Sequence, residues 1–221
     1  MDGSDIALLL TIVFYVFCCP YSKVEESFNM QAFHDLSEFG FVNLSNFDHL
    51  QFPGVVPRTF IGPILVSLFS VPFLWLLKLF AAPSFYAQIV CRIVLGLISW
   101  LSFIRFKNGA SKRFGERSSQ LISILIICQF HICFYMSRSL PNIFALSLCN
   151  VGFGYWLKGK AERAILIIAT AMCVFRCDIA VLLAPLVIQL LISGEITFFR
   201  SLFQGLATVL TSISISVCID S

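Results

Sequence analysis

Apolar residues run almost unbroken from Ile6 to Cys19, then give way at Pro20 to a mixed polar stretch that lasts to Arg58. Beyond it the apolar runs dominate, at 60–80, 84–104, 120–136, 140–157, 164–192 and 198–219, separated by short polar breaks. A membrane helix needs about 20 apolar residues, each rising 1.5 Å. The pattern therefore predicts an all-α membrane protein, a multi-pass helical bundle forming one membrane domain over 1–221. Its parts are a first helix at 6–19, a polar loop at 20–58 and further membrane helices across 60–219. The run 164–192 is too long for one upright span and is interrupted by Arg176 and Asp178, which predicts a broken helix or two short segments. No internal repeat is visible.

Composition agrees with the pattern. Of 221 residues, 58% are apolar and 12% charged, about half the charged share of a soluble domain, so the lipid bilayer is the expected solvent and partner. Fifteen Lys and Arg against twelve Asp and Glu give a net charge of +3, with no aromatic-studded basic stripe, so nucleic acid is not expected as a partner. The nine cysteines lie within or at the end of apolar runs, where they read as helix-packing residues rather than a disulfide framework or zinc site. Asp2 and Asp5, not a basic segment, precede the first run, which predicts an uncleaved first helix.

If every run crosses once, the loop 20–58 and the basic connectors 105–117 and 158–163 fall on one side, which the positive-inside rule would make cytosolic. Asn43-Leu44-Ser45 is a glycosylation sequon that bears on the same question.

The chemistry concentrates in PYSKVEESFNMQAFHD, residues 20–35. Glu25 and Glu26 stand a few residues beyond the first helix, near the interface, where a carboxylate has limited hydration and suits a general base. With Lys23 they also read as a solvated cap. His34-Asp35 and Asp48-His49 are acid–histidine neighbours, but sequence neighbours on one helix or strand do not converge on a point, so no metal is expected. Pro53, Gly54 and Pro57 predict a turn before Arg58, whose guanidinium suits either phosphate binding or anchoring to a lipid headgroup. Arg92, Arg176 and Asp178 interrupt apolar runs, which is costly unless they pair or face a cavity; Arg176 and Asp178 are spaced to pair locally. Arg138, Pro141 and Asn142 in SRSLPN mark a helix junction.

In their order, KVEESFNMQAFHD, DHLQFPGVVPRTF, QFHICFYMSRSLPN and the terminal IDS resemble the dolichyl-phosphate-mannose-dependent mannosyltransferases of glycosyltransferase family 22. The wording is nearest the branch that forms α-1,6 linkages; EESFN and SRSLPN separate it from the glycolipid-anchor enzymes. The resemblance implies a GT-C-like membrane fold in the endoplasmic reticulum, with the loop 20–58 lumenal, against the charge rule. It implies inverting transfer from a dolichyl-phosphate-mannose donor to a dolichol-diphosphate-linked oligosaccharide acceptor, with no metal or other cofactor. Glu25 is then the first candidate for the catalytic base and Glu26 the second, with Asp48, Arg58 and Arg138 as candidate substrate contacts. Gln51 stands where relatives more often carry Glu. Family members continue well past the position of Asp220-Ser221, so on this reading the chain is truncated and incomplete as an enzyme. A transporter or lipid-handling protein using Arg92, Arg176 and Asp178 as its pathway is one alternative, and would be expected to show inverted repeats; a non-catalytic, truncated form is another.

Overall fold

The computed structural model describes residues 2–40, 44–48 and 58–220. The sequon Asn43, together with His49, Gln51 and the turn residues Pro53, Gly54 and Pro57, lies outside them. The described residues form α-helices and short 3₁₀ turns, with no strand among them. The helices are α1 (Gly3–Cys18), α2 (Ser27–Glu38), α3 (Ile61–Leu79), α4 (Phe85–Phe114), α5 (Glu116–Ile127), α6 (Phe130–Tyr135), α7 (Pro141–Leu157), α8 (Ala161–Val174), α9 (Ala180–Ile192) and α10 (Phe198–Asp220).

The bundle has two ends, defined by how α1 lies against α4. Asp2 and Asp5, at the start of α1, meet Lys107, whereas the carbonyls of Cys19 and Pro20, at its exit, meet Arg92. The two helices are antiparallel, and the fifteen residues between Arg92 and Lys107 separate the ends by about 22 Å at 1.5 Å per residue. α7 runs parallel to α4: Ser147 bonds Ser99, and further along Gly154 approaches Arg105 so closely that an added Cβ would lie 2.6 Å from the Arg105 carbonyl oxygen. Glycine here lets two backbones meet, the packing mode favoured between membrane helices.

α3 is long and apolar enough to cross a membrane, as are α4 and α10, yet both its ends belong to one end of the bundle. Its start is tied to the polar segment through Phe28 and Phe60. Its last turn is tied there too, through Lys78, which donates to the Ser37 carbonyl and the Glu38 carboxylate. The chain then enters α4 beside Tyr21. α2 runs alongside, burying Asn29, Ala32, Phe33 and Leu36 on one face, so the segment read as a loop contains a surface-lying helix.

The remaining helices alternate between ends. α5 leaves the far end after Gly115 (φ +90) breaks the chain from α4, and with α6 makes one interrupted pass. α7 returns, α8 comes back, a turn at 175–179 follows, and α9 and α10 complete the path, with Arg200 meeting Glu162 at the far end and Asp220 meeting Phe60 at the other. Among the described residues the passes are thus α1, α4, α5–α6, α7, α8, α9 and α10.

Because α3 returns to its own side, one crossing drops out of the sequence-based count. The basic connectors 105–117 and 158–163 consequently lie at the opposite end from residues 20–40, and the even-crossing argument that put them together does not hold.

Three apolar clusters hold the bundle: Leu8, Ile12, Trp100 and Met136 among α1, α4 and α6; Phe33, Val66, Leu95 and Phe144 beneath α2 and α3; Ile168, Leu186 and Leu190 between α8 and α9. α10 buries only Ser212 and exposes residues such as Phe199 and Phe203, as expected of a surface whose solvent is lipid. The molecule is an all-α multi-pass membrane protein.

Candidate active site

Pro20 ends α1, and the three carbonyls at its exit are claimed by two buried guanidiniums. Arg92 Nη1 donates to Cys19 O and Pro20 O, both at 2.8 Å. Arg138 donates from Nη1 to Tyr21 O at 2.7 Å and from Nη2 to Cys19 O at 3.1 Å. Gln88 adds a bond to Pro20 O. Arg138 also donates to Glu26 Oε1 at 3.0 Å, and its guanidinium carbon lies 4.3 Å from the centre of the Phe134 ring. Arg suits such a clamp better than Lys, since its planar fork holds five donors in fixed, divergent directions.

The sequence places Arg138 at this depth. α6 ends at Tyr135, Pro141 opens α7 at a position where its missing N–H costs nothing, and the tight link Ser137–Leu140 between them is buried or half-buried. Asn29 of α2 donates to the Ser139 carbonyl, tying the same link to the polar segment.

From this base the chain rises into a 3₁₀ turn, Val24–Glu26, that sets the two glutamates apart. Glu26 points down, 1% exposed and paired with Arg138. Glu25 is exposed and lines a cavity of about 360 Å³ with Lys23, Arg58, Tyr135, Asn142 and Arg176. Arg58 crosses from the start of α3 to donate to the Glu25 main-chain carbonyl at 2.9 Å. Asp220, at the end of α10, accepts from the Phe60 N–H at 2.8 Å and the Thr59 hydroxyl at 3.3 Å, so α10 steadies the segment that carries Arg58.

A second cavity, of about 370 Å³, adjoins the first. It shares Arg58, Pro141 and Arg176 with it, but its other walls include Pro63, Phe144, Val174 and Phe175. The two are lobes of one cleft, polar toward Glu25 and mixed toward the bundle, where Asn29, Thr59 and Asp178 stand among the apolar walls.

Of the residues singled out in the sequence, Glu25, Glu26, Arg58 and Arg138 come together here. Arg138 is 2% exposed with its bonds directed to the chain, so it lies beneath the cleft. Asp48 is elsewhere: it lines neither lobe and stands with His34 and Asp35, whose metal-ligating atoms all lie within 4.8 Å of one another. Tertiary folding thus brings a distant acid to a histidine–acid pair that sequence spacing had kept apart. Arg176 is the residue the sequence reading missed as a site member. Its local pairing with Asp178 is present, but the turn that carries both faces the cleft. The available signal was two charges in an apolar run one helix length from a basic connector.

Residues 6–221 match the Alg9-like mannosyltransferase family. The chain is 39% identical, over 99% of its length, to an Arabidopsis thaliana protein named Dol-P-Man:Man(7)GlcNAc(2)-PP-Dol alpha-1,6-mannosyltransferase, and covers 44% of that protein. It is 34% identical over 98% of its length to the Saccharomyces cerevisiae protein of that name, covering 43% of it, and 35% identical over 98% to that of Drosophila melanogaster, covering 32%. The chain therefore spans less than half the length of these relatives. No solved structure gives a significant match. A family match along nearly all its residues, on an all-helical membrane scaffold that lifts a carboxylate into a polar cleft, makes the chain a member of the Alg9-like mannosyltransferase family.

Proposed function

We propose that the complete protein transfers mannose from dolichyl phosphate mannose to the heptamannosyl glycan of a dolichol-diphosphate-linked oligosaccharide, forming an α-1,6 linkage in the assembly of the N-glycosylation precursor. The observation that carries this is Glu25: an exposed carboxylate on a clamped turn, opening into a polar cavity with cationic residues beside it, in a chain whose relatives bear that activity in their names.

Glu25 acts as the general base. It takes the proton of the acceptor's 6-hydroxyl as that oxygen attacks the anomeric carbon of the donor mannose. The bond from that carbon to the phosphate oxygen breaks, the phosphate leaves with the electron pair, and the configuration inverts. Arg58 stabilises the charge that develops on the phosphate. Glu26 serves as a positioning residue: its buried pair with Arg138 and the Lys23 N–H that it accepts fix the turn that carries Glu25. No metal is assigned a role.

The cleft lies on the lumenal side of the endoplasmic reticulum membrane. Support comes from charge: nine of the fifteen basic residues lie in 105–117, in 158–163 and at Arg200, all at the end opposite the cleft, which the positive-inside rule makes cytosolic. With α3 returning to its own side, this rule and the family resemblance agree.

Replacing Glu25 with Gln in the complete protein keeps shape and removes basicity; transfer should fall about 10²–10⁴-fold with normal membrane insertion. Unchanged activity would assign the base elsewhere. Sidedness is read by a cysteine introduced at the exposed Ser45: labelling from the cytosol would overturn the lumenal assignment.

A further inference from the structure

We propose that Arg176 is a phosphate-binding residue, which with Arg58 holds the phosphate of the polyprenyl-phosphate sugar donor at the waist between the two lobes of the cleft. The inference rests on the mannosyl-transfer reading and adds to it where the donor lies: mannose in the polar lobe toward Glu25, the first isoprene units in the other lobe against Phe144 and Phe175.

Three observations carry it. Each lobe has a volume suited to a small ligand, about 300–1,000 Å³ being usual, and the share of charged and polar side chains is higher in the lobe that holds Glu25. Pro63, Phe144, Val174 and Phe175 give one lobe an apolar wall beside its polar Asn29, Thr59 and Asp178, while charged and polar side chains, Lys23, Glu25, Glu26, Tyr135 and Asn142, dominate the other. Second, the residues common to both lobes are Arg58, Pro141 and Arg176, so the two cations stand where a phosphodiester joins sugar to lipid.

Third, Arg176 is held ready rather than consumed. Its Nε and Nη2 donate to the two oxygens of Asp178 at 2.9 and 2.7 Å, and Nη1 donates to the Asn142 side-chain oxygen. A guanidinium has five N–H groups, so two remain, one on each terminal nitrogen. Its side chain is 40% exposed, against 2% for Arg138. An exposed ion pair between residues two apart in sequence contributes little to stability. Its effect is to fix the plane of the fork, which lowers the ordering cost when a ligand binds. Asp178 is held below the usual carboxylate range by its bonds from Arg176, so it stays ionised and keeps the fork in place at neutral pH.

The acceptor also carries phosphate, as a lipid diphosphate. The donor is preferred because its phosphate is bonded to the anomeric carbon, which must come within reach of Glu25, and Arg58 and Glu25 share one lobe and a direct hydrogen bond.

The test uses the complete protein carrying Arg176→Gln or Arg176→Lys, with Arg200→Gln at the far end as control. The Michaelis constants for dolichyl phosphate mannose and for the acceptor are measured separately, as is inhibition by dolichyl phosphate, which lacks the sugar. Loss of charge-assisted bonds to phosphate should weaken donor and dolichyl phosphate binding about 10–100-fold, with the acceptor constant unchanged. Lys should restore part of the loss, as a point charge without the fork. The control should match wild type. A normal donor constant in Arg176→Gln overturns the proposal, as does a change confined to the acceptor constant, which would assign the residue to the diphosphate. If Arg176→Gln fails to fold, Arg176→Lys and Asp178→Asn decide by the same constants. Wild-type protein that binds dolichyl phosphate but transfers no mannose would refute the reaction and leave the phosphate site standing.

Discussion

Both ends of α1 are fastened to α4 by buried charge, but in opposite ways. At the far end one ammonium meets two carboxylates: Lys107 Nζ donates to Asp2 Oδ2 at 2.8 Å, to Asp5 Oδ1 and to the Ser4 hydroxyl. The same aspartates cap α1, Asp2 accepting from the Ser4 and Asp5 N–H groups and Asp5 from the Asp2 N–H. At the cleft end two guanidiniums meet one carboxylate, and most of their bonds go to main-chain carbonyls. Arg92 Nε and Nη2, Arg138 Nε and Glu26 Oε2 have no hydrogen-bond partner among the described residues.

The far end is a closed structural staple. The cleft end keeps an excess of buried positive charge directly under the turn that presents Glu25. Such a field favours an anionic substrate above it, and pre-organised charge of this kind stabilises a departing phosphate. The imbalance is tolerated because the guanidiniums take over carbonyls that Pro20 and the helix end leave unpaired.

The largest expected effect separates pairing from clamping. Arg138→Met strands Glu26 in the interior, a change worth about 3–5 kcal/mol, and should sharply lower the melting midpoint in detergent. Adding Glu26→Met removes the stranded charge and should recover most of that stability, since an apolar replacement of a buried pair is often neutral. Transfer should stay low in the double variant, because the Tyr21 carbonyl has lost its Arg138 donor and the Cys19 carbonyl keeps only the one from Arg92. Full activity there would mean that the clamp is structural only.

Lys107→Met makes the matching break at the far end. Asp5 is then buried without its cation, and a loss of up to about 3–5 kcal/mol is expected. Activity per folded molecule should match wild type. A drop in turnover without a drop in folded yield would show that the staple reaches the cleft and would weaken the contrast between the ends. A smaller effect is expected from Gly154→Ala, where the new Cβ meets the Arg105 carbonyl. Forcing α4 and α7 apart should cost about 1–3 kcal/mol, read as a lower melting midpoint.

Much of this contrast is legible in the sequence, and the missing parts have physical causes. Apolar length locates the helices, and Arg176 with Asp178 marks the break in 164–192 because charges do not remain in lipid unpaired. Length carries no direction, however. α3 satisfies every measure of a span and still returns to its own side, held by Phe28 at one end and Ser37 at the other. Burial is equally silent: Glu25 and Glu26 are adjacent and chemically alike, and only the 3₁₀ turn sends one into the cleft and the other down to Arg138. Asp48, placed near Arg58 by sequence, is carried instead to His34 by long-range packing that local patterns do not encode.

The smallest predicted effect tests whether the far-end staple is electrostatic. Hydrogen bonds from Lys107, and then from Ser4, hold the Asp2 carboxyl below its ordinary range. A group whose folded pKa is depressed adds stability above its unfolded value, about 3.9 for Asp, and that stability fades as pH falls toward the folded value. Asp2→Asn removes the charge but keeps a side-chain oxygen that can cap α1, since Asn and Asp cap about equally well. With the Asp2 side chain 31% exposed, solvent screening limits the pair to about 1 kcal/mol or less. The melting midpoint of Asp2→Asn should therefore lie slightly below wild type at pH 7, and the gap should narrow as pH drops below about 4. Comparing the two proteins at each pH cancels the titration of carboxylates outside this cluster, which Asp5 shares through Lys107. A gap independent of pH would show that Asp2 holds α1 by shape and hydrogen bonding alone, and the far end would then resemble the cleft end in relying on main-chain contacts more than on charge.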